Sequence, residues 1–120
     1  MTSPLRMPLI ALLIATGLFN AVAQQTRPAL HEQVASEYAD AEARLQTAEA
    51  RLMASLDDAQ KAEFAAAQQK WVTYRDAAVA LALAVLKPKP EQAEYFRFLE
   101  LNKLTRDRIS SLERLSAATK

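Results

Sequence analysis

The densest group of chemically capable side chains is the stretch 68–76, which reads QQKWVTYRD. On a helix Gln68, Trp71 and Arg75 share one face and Tyr74 flanks it, so aromatic and polar groups meet there. Such a face has two uses. Its residues can belong to a helix seam, with the Arg75 stem over the core and its charge paired to a carboxylate of another helix. They can instead form an aromatic and arginine patch that binds a protein. Periodicity favours the seam.

The other reactive residue types do not assemble a catalytic or metal site. His31 is the single histidine of a chain without cysteine, so it lacks the partners of a metal ligand and is expected to be a solvated helix-start residue. The adjacent carboxylates Asp57 and Asp58 could serve glycoside hydrolysis, but at a turn they are far more typical of a helix cap. The serines have no neighbouring base, and no phosphate loop or nucleophile elbow occurs. The sequence therefore predicts a protein that is not an enzyme and uses no cofactor or metal.

Arg75 is also predicted to hold a polar cluster across the helices. Asp40 adjoins the apolar seam of the first helix, and Thr105 and Arg108 interrupt that of the third. A guanidinium offers five donors in a fixed fork, so it can bridge a carboxylate and a hydroxyl that are costly to bury unpaired. We therefore predict a structural cluster of Asp40, Arg75, Thr105 and Arg108. In the alternative, Arg75 belongs to an exposed binding surface.

The elements that position these residues are helices. Apolar residues recur at steps of three and four, which is the spacing of one helix face. The first stripe contains Leu30, Val34, Tyr38, Ala41, Leu45, Ala48, Leu52 and Leu56, and the second contains Phe64, Ala67, Trp71, Tyr74, Ala78, Leu81 and Val85. A third stripe contains Tyr95, Phe98, Leu99, Leu101, Leu104, Ile109, Leu112 and Leu115. The pattern predicts helices over about 29–56, 58–86 and 91–117.

Short connections separate these helices. Asp57 is a predicted N-cap, with Gln60 three residues later as in a capping box, and the prolines of 87–90 end the second helix. Short connections favour antiparallel neighbours, so the prediction is an all-α fold of three long helices in an up-down bundle. The alternative is a helical hairpin that completes its core as a homodimer.

The N-terminus has the three parts of a secretory signal peptide, predicted over 1–23. Arg6 gives a positive start, 9–19 is apolar, and Ala21 and Ala23 form a small-residue cleavage site, so cleavage is expected after Ala23. The apolar segment is too short to span a membrane, and no later segment is long and uncharged enough. We therefore expect a periplasmic or secreted protein with no stable membrane span in the mature chain, 24–120.

The composition of the chain also disfavours several classes of protein. Because Arg6 lies in the leader, the remainder has equal numbers of basic and acidic residues, which gives no reason to expect a nucleic-acid partner. The chain has no cysteine and its one glycine is Gly17, also in the leader. Phosphate loops and tight hairpins usually need glycine, so nucleotide folds and sheets are disfavoured. The mature chain is long enough for one domain.

Three segments together resemble a known family. The stretch 67–76 reads AQQKWVTYRD and is similar to the pattern A-Q-x-x-W-x-x-Y-R-D. The stretch 38–45 is similar to Y-x-x-A-D-x-x-L-N with one residue of slack, and 104–108 with Leu112 is similar to L-T-x-x-R-x-x-x-L. In this order they resemble the lysozyme inhibitor LprI family of small exported helical domains, over about 35–115.

The chain differs from the family's usual sequence in two respects. Members of that family usually carry cysteines at places that correspond to Val34, Val79 and the region around Glu100, so this chain resembles a cysteine-free member. It also has the residues 87–90 where the family often has a glycine-serine segment. The resemblance implies a protein partner, with inhibition of lysozyme as the family's named activity.

The candidate binding residues are those that match the family's motifs. They are Gln68, Trp71, Tyr74, Arg75, Asp76, Thr105 and Arg108. The loop 87–90 is added to this surface. The competing hypothesis is a structural or assembly module that packs a helix face on another envelope protein without inhibiting lysozyme.

Overall fold

Three helices make up nearly all of the chain that the structure describes. The computed structural model describes residues 29–119, with α1 over 29–53, α2 over Asp58–Leu86 and α3 over Pro90–Ala118. The predicted all-α fold is thus confirmed, whereas the predicted signal peptide lies outside the described residues. Within 29–119 no helix is both long enough and apolar enough to cross a membrane.

The connection between α1 and α2 is a tight turn closed by a capping box. The α1 helix ends at residue 53 rather than 56 because Ser55 N–H donates to the carbonyl of Leu52, at 3.0 Å, which tightens the last turn. The Gln60 N–H donates to Asp57 Oδ1 at 2.8 Å, and the Asp57 N–H donates to Gln60 Oε1 at 2.9 Å. The predicted cap is therefore confirmed, and the Asp57 carboxylate accepts a hydrogen bond from a backbone N–H in the first turn of α2.

The connection between α2 and α3 depends on two prolines and one left-handed residue. Lys87 caps α2 with φ 48° and ψ 55°, a left-handed conformation that glycine usually adopts at helix ends. The Lys87 N–H donates to the Leu83 carbonyl at 3.0 Å. Pro90 occupies the first turn of α3, where its missing N–H costs little. This part of the chain therefore reverses direction without a glycine.

Within residues 33–119 the helices form an up-down-up bundle. Asn102 of α3 bonds to Val34 near the start of α1, and Thr119 bonds to Ser55 just after its end, so α1 and α3 run parallel. The short connections place α2 antiparallel to both helices.

The best-packed part of the core lies toward the α1–α2 turn. Its buried cluster consists of Leu45, Ala48, Leu52, Phe64, Ile109 and Leu112, with Leu56 and Trp71 partly buried against it. Leu112 has no exposed surface at all. The other half of the bundle buries Val34, Ala41, Val79 and Leu101 together with two polar residues of α3.

The seam predicted for α2 is wrong in its second half. Residues predicted to be interior are mainly exposed, namely Tyr74, Leu81 and Val85. The helix instead turns Val79 and the half-buried Gln68 and Arg75 inward. The physical reason is that 77–86 contains only Ala, Val and Leu, so apolar side chains surround the helix and the pattern does not select one face.

Candidate binding surface on helix α2

The ring of Trp71 has two arginines close to it, one from its own helix and one from α3. The guanidinium carbon of Arg75 is 5.5 Å from the centroid of the indole ring, and that of Arg108, from α3, is 5.7 Å away. At these distances each cation is attracted to the ring by roughly 0.5–2 kcal/mol, depending on how far it is desolvated. Because Trp71 also packs on the core cluster, the two charges are held against the body of the bundle.

Arg108 is bound by an amide rather than by a carboxylate. Its Nη2 donates to Gln68 Oε1 at 2.6 Å, across the interface between α2 and α3. Burial lowers the pKa of the Arg108 guanidinium, and the Glu49 carboxylate of α1 acts in the opposite direction without forming an ion pair. The Nε of Arg108 is buried and has no hydrogen-bond partner among the described residues. An arginine guanidinium stays charged in proteins, so Arg108 is a partly desolvated cation with unused donor capacity.

The predicted four-residue polar cluster does not form. Arg75 instead pairs with its neighbour Asp76, whose Oδ1 accepts from Nε at 3.0 Å and lies 2.9 Å from Nη2. Asp40 is exposed and makes no hydrogen bond or ion pair within residues 29–119. The Thr105 hydroxyl is buried and has no partner. The adjacent Asp76 can reach Arg75 without crossing the bundle or being desolvated, whereas Asp40 would have to give up water. Of the predicted cluster, only Arg75 and Arg108 come near the same group, with guanidinium carbons 5.5 Å and 5.7 Å from the centroid of the Trp71 ring.

A buried amide on α3 makes a link that the sequence analysis did not assign. Asn102 Nδ2 donates to the backbone carbonyl of Val34, at 3.2 Å, and thereby joins α3 to the start of α1. The neighbouring Thr105 is only 1% exposed. The sequence pattern that could have identified Asn102 was its position inside the apolar stripe of α3, where a polar residue needs a partner.

Tyr74 is exposed and has no bonding partner. The side chain is 61% exposed and makes no hydrogen bond, ion pair or ring contact within the described residues. Leu81 and Val85 follow at spacings of seven and four, on the same side of α2, and are 65% and 69% exposed. We call Tyr74, Leu81 and Val85 the α2 flank.

Comparison with known families identifies the group to which the chain belongs. The family model described as lysozyme inhibitor LprI matches residues 20–112. The chain belongs to the lysozyme inhibitor LprI family. No match was found among curated proteins or among solved structures.

The motif that resembles the LprI pattern divides into an inner and an outer part. Gln68 and Trp71 are half-buried and bind or stack with Arg108. Tyr74 and Asp76 face solvent, and Arg75 lies between the two parts. The inner residues are therefore accounted for by the packing of α2 on α3, whereas packing does not account for Tyr74.

The positions that correspond to cysteines in the LprI resemblance are occupied by packed side chains. Val34 and Val79 are both buried, and Glu100 is half-buried. Valine at two such positions gains transfer free energy on burial, roughly 1.5–3 kcal/mol for a fully buried side chain. This LprI-family chain thus uses apolar packing there.

The surface offers groups that suit the binding of another molecule. Its side chains supply an aromatic hydroxyl, guanidinium donors and aliphatic area. Within 29–119 no three His, Cys, Asp or Glu side chains are grouped as metal ligands.

Proposed function

We propose that this LprI-family protein is an exported, non-enzymatic binding protein that inhibits a lysozyme by contact through the α2 flank. The observation that carries the proposal is the exposure of Tyr74, a residue of the motif that resembles the family pattern. Tyrosine supplies large, amphipathic contact area at a low cost in conformational entropy, and it is enriched among residues that dominate binding energy.

The packing beneath Tyr74 favours a rigid contact surface. Arg108 of α3 lies against Trp71 of α2, which is also flanked by Arg75 of its own helix, so a partner would meet a preorganised helix. Arg75 and Asp76 add a polar rim beside Tyr74. Burying the exposed parts of Tyr74 and the two aliphatic side chains of the flank would contribute roughly 1–2 kcal/mol each, since complete burial is worth about 1.5–3 kcal/mol.

The direct test is an inhibition assay with a matched pair of variants. Purified mature protein is added to cell-wall suspensions together with lysozymes of animal, invertebrate and phage type, and the rate of lysis is recorded. Tyr74→Ala should weaken inhibition by about tenfold or more, as expected for loss of a central tyrosine. Leu99→Ala is the control because Leu99 is also partly exposed but lies on α3. It should inhibit like the natural chain.

Two outcomes would contradict this assignment. The first is the absence of inhibition of every lysozyme type by excess protein. The second is an equal loss of inhibition in Tyr74→Ala and Leu99→Ala, because this would mean that the α2 flank has no special part. Inhibition should also weaken with added salt if the rim charges of Arg75 and Asp76 contribute.

A second candidate function is that of an assembly module. The spacing of Tyr74, Leu81 and Val85 is that of a helix seam, so the flank also suits a helix of another envelope protein or of a second copy. This candidate predicts a stable complex from periplasmic extract that Leu81→Glu abolishes, together with an unchanged rate of lysis by lysozyme.

The proposed location is the periplasm or the exterior of the cell. The family is one of lysozyme inhibitors, whose targets act on the cell wall, and the sequence of 1–23 has the organisation of a signal peptide. Mass spectrometry of protein from its native host should find a chain that begins at Gln24. Full-length protein confined to the cytoplasm would overturn the proposed location.

A further inference from the structure

An apolar groove lies between α2 and α3 at the end of the bundle near the α1–α2 turn. Its volume is about 640 Å³, within the ~300–1,000 Å³ range of pockets that hold small molecules. The buried side chains of Leu52, Phe64 and Leu112 line it, and the partly exposed Leu56 and Leu115 also contribute. The groove therefore borders the best-packed part of the core.

Arg108 is the one cationic residue among the described residues that line this groove. The distance along α3 from Arg108 to Ala118, another lining residue, is about 15 Å at 1.5 Å per residue. The only hydrogen-bond acceptor of Arg108 among the described residues is Gln68, and its buried Nε has none. A guanidinium normally binds carboxylates through two parallel hydrogen bonds, and this one makes none.

We propose that the groove binds a medium-chain fatty acid, with its carboxylate on Arg108 and its hydrocarbon chain between α2 and α3 toward the α1–α2 turn. The proposal does not depend on lysozyme inhibition, since the α2 flank contributes no residue to the groove.

Charge and shape favour this occupant over others. The groove is lined chiefly by Leu, Phe and Ala, which suits a flexible alkyl chain. Its cation is partly desolvated and has no ion-pair partner among the described residues. The acidic groups near it are Glu63, which lines the exposed side of α2, and Glu49, which acts on Arg108 from α1. Neither forms an ion pair with Arg108, so a ligand carboxylate would supply the missing acceptor. A cationic amphiphile would meet the Arg108 charge and should be rejected.

The chain contains its own reporter. Trp71 is the only tryptophan, and its ring centroid is 5.7 Å from the Arg108 guanidinium carbon. Laurate is titrated below its micelle concentration while the Trp71 emission is followed, and calorimetry gives the stoichiometry. We expect saturable binding of one laurate per chain. Affinity should rise by roughly three- to fourfold per added methylene group from octanoate to laurate, because each buried methylene group contributes about the same free energy.

Two variants and one matched control separate the parts of the site. Arg108→Met should weaken laurate binding by at least about tenfold, since it removes the charged donors but keeps an apolar stem. Leu115→Gln places a polar group in the groove wall and should also weaken binding. Leu99→Gln is the control, because Leu99 is partly exposed on the same helix and does not line the groove. Circular dichroism melts verify that each variant is folded.

Several outcomes would overturn the proposal. Dodecyltrimethylammonium has a chain of the same length and a positive head, and equal affinity for it would show that Arg108 does not select a carboxylate. Equal behaviour of Leu115→Gln and Leu99→Gln would place the ligand elsewhere, even if Arg108→Met did not fold. Laurate that binds only above its micelle concentration would show detergent adsorption. Tyr74→Ala should bind laurate normally, so this test can succeed or fail independently of lysozyme inhibition.

Discussion

The hydrogen bond between Arg108 and Gln68 should stabilise the fold more than the ion pair between Arg75 and Asp76. The first bond joins α3 to α2, is 2.6 Å long and is partly buried. The second joins adjacent residues of one helix, and the Asp76 side chain is largely exposed. A contact between distant residues is lost on unfolding, whereas adjacent residues remain near one another in the unfolded chain.

The expected magnitudes follow from these environments. A hydrogen bond to a charged group contributes about 1.5–3 kcal/mol, and partial exposure of Arg108 argues for the lower part of that range. We therefore expect a coupling free energy of about 1–2 kcal/mol between Gln68 and Arg108. Exposed ion pairs contribute about 0–1 kcal/mol, so the coupling between Arg75 and Asp76 should lie below about 0.5 kcal/mol.

The assay is a pair of double-mutant cycles measured by urea unfolding. One cycle uses Gln68→Ala, Arg108→Ala and the double variant, and the other uses Arg75→Ala, Asp76→Ala and their combination. A domain of this size has an m-value of about 1 kcal/mol per molar urea, so the coupling corresponds to a midpoint difference of about 1–2 M. Circular dichroism is the primary probe, because Trp71 emission responds directly to changes at Arg108.

Two results of these cycles would contradict the prediction. If Gln68→Ala and Arg108→Ala are additive within about 0.3 kcal/mol, the bond contributes nothing beyond its separate side chains. If the Arg75 and Asp76 cycle shows the larger coupling, the ranking of buried over exposed contacts is wrong for this bundle. Arg108→Ala alone would not distinguish these cases, since it also removes the stem that packs near Trp71.

Three further predictions concern the core, a cap and a tyrosine. Leu112→Ala should cost about 2.5–5 kcal/mol of unfolding free energy in denaturant melts, against under about 1.5 kcal/mol for the 47% exposed Leu115→Ala, and equal losses would contradict the core assignment. Asp57→Ala should cost about 1 kcal/mol by removing the capping box, while Asp58→Ala, outside the box, should cost less. Burial, followed by the hydrogen bond to Glu42, raises the pKa of Tyr38 from 10.0 to about 12, although the charges of Arg75 and Arg97 oppose the shift. The stability that this shift represents is therefore complete below pH 10 and is lost as pH rises from about 10 to about 12. This loss of stability should be absent in Tyr38→Phe. A spectrophotometric titration in which all three tyrosines ionise together would contradict the raised pKa of Tyr38.

The sequence predicts the helices of this protein well because its strongest patterns are local. The three helices, the Asp57 cap and the proline stop after α2 depend on neighbouring residues and on steps of three and four. The face that α2 turns inward was predicted wrongly in the second half of the helix. There 77–86 is apolar on every side, so only contacts with the other helices select the buried face.

The polar contacts of the site were harder to predict because they depend on the rotation of each helix. Asp40 and Arg75 were expected to meet because both adjoin apolar seams, yet Asp40 faces solvent. The bond from Arg108 to Gln68 spans 40 residues, and a spacing rule within one helix does not reach it. Both of these residues lie in the segments that resemble the family's motifs.

Two features of the fold differ from the usual arrangement of an apolar interior and a polar surface. Thr105 and Arg108 place unpaired polar atoms in the interior, each of which costs free energy, while Tyr74, Leu81 and Val85 place apolar area in water. The folded state would be more stable with these polar atoms in water and the apolar side chains in the interior. A partner on the α2 flank would remove the exposed apolar area from water, and an anion on Arg108 would pair with a guanidinium that has no carboxylate partner among the described residues. The two proposed sites thus lie at two of the places where the fold, taken by itself, is not fully satisfied.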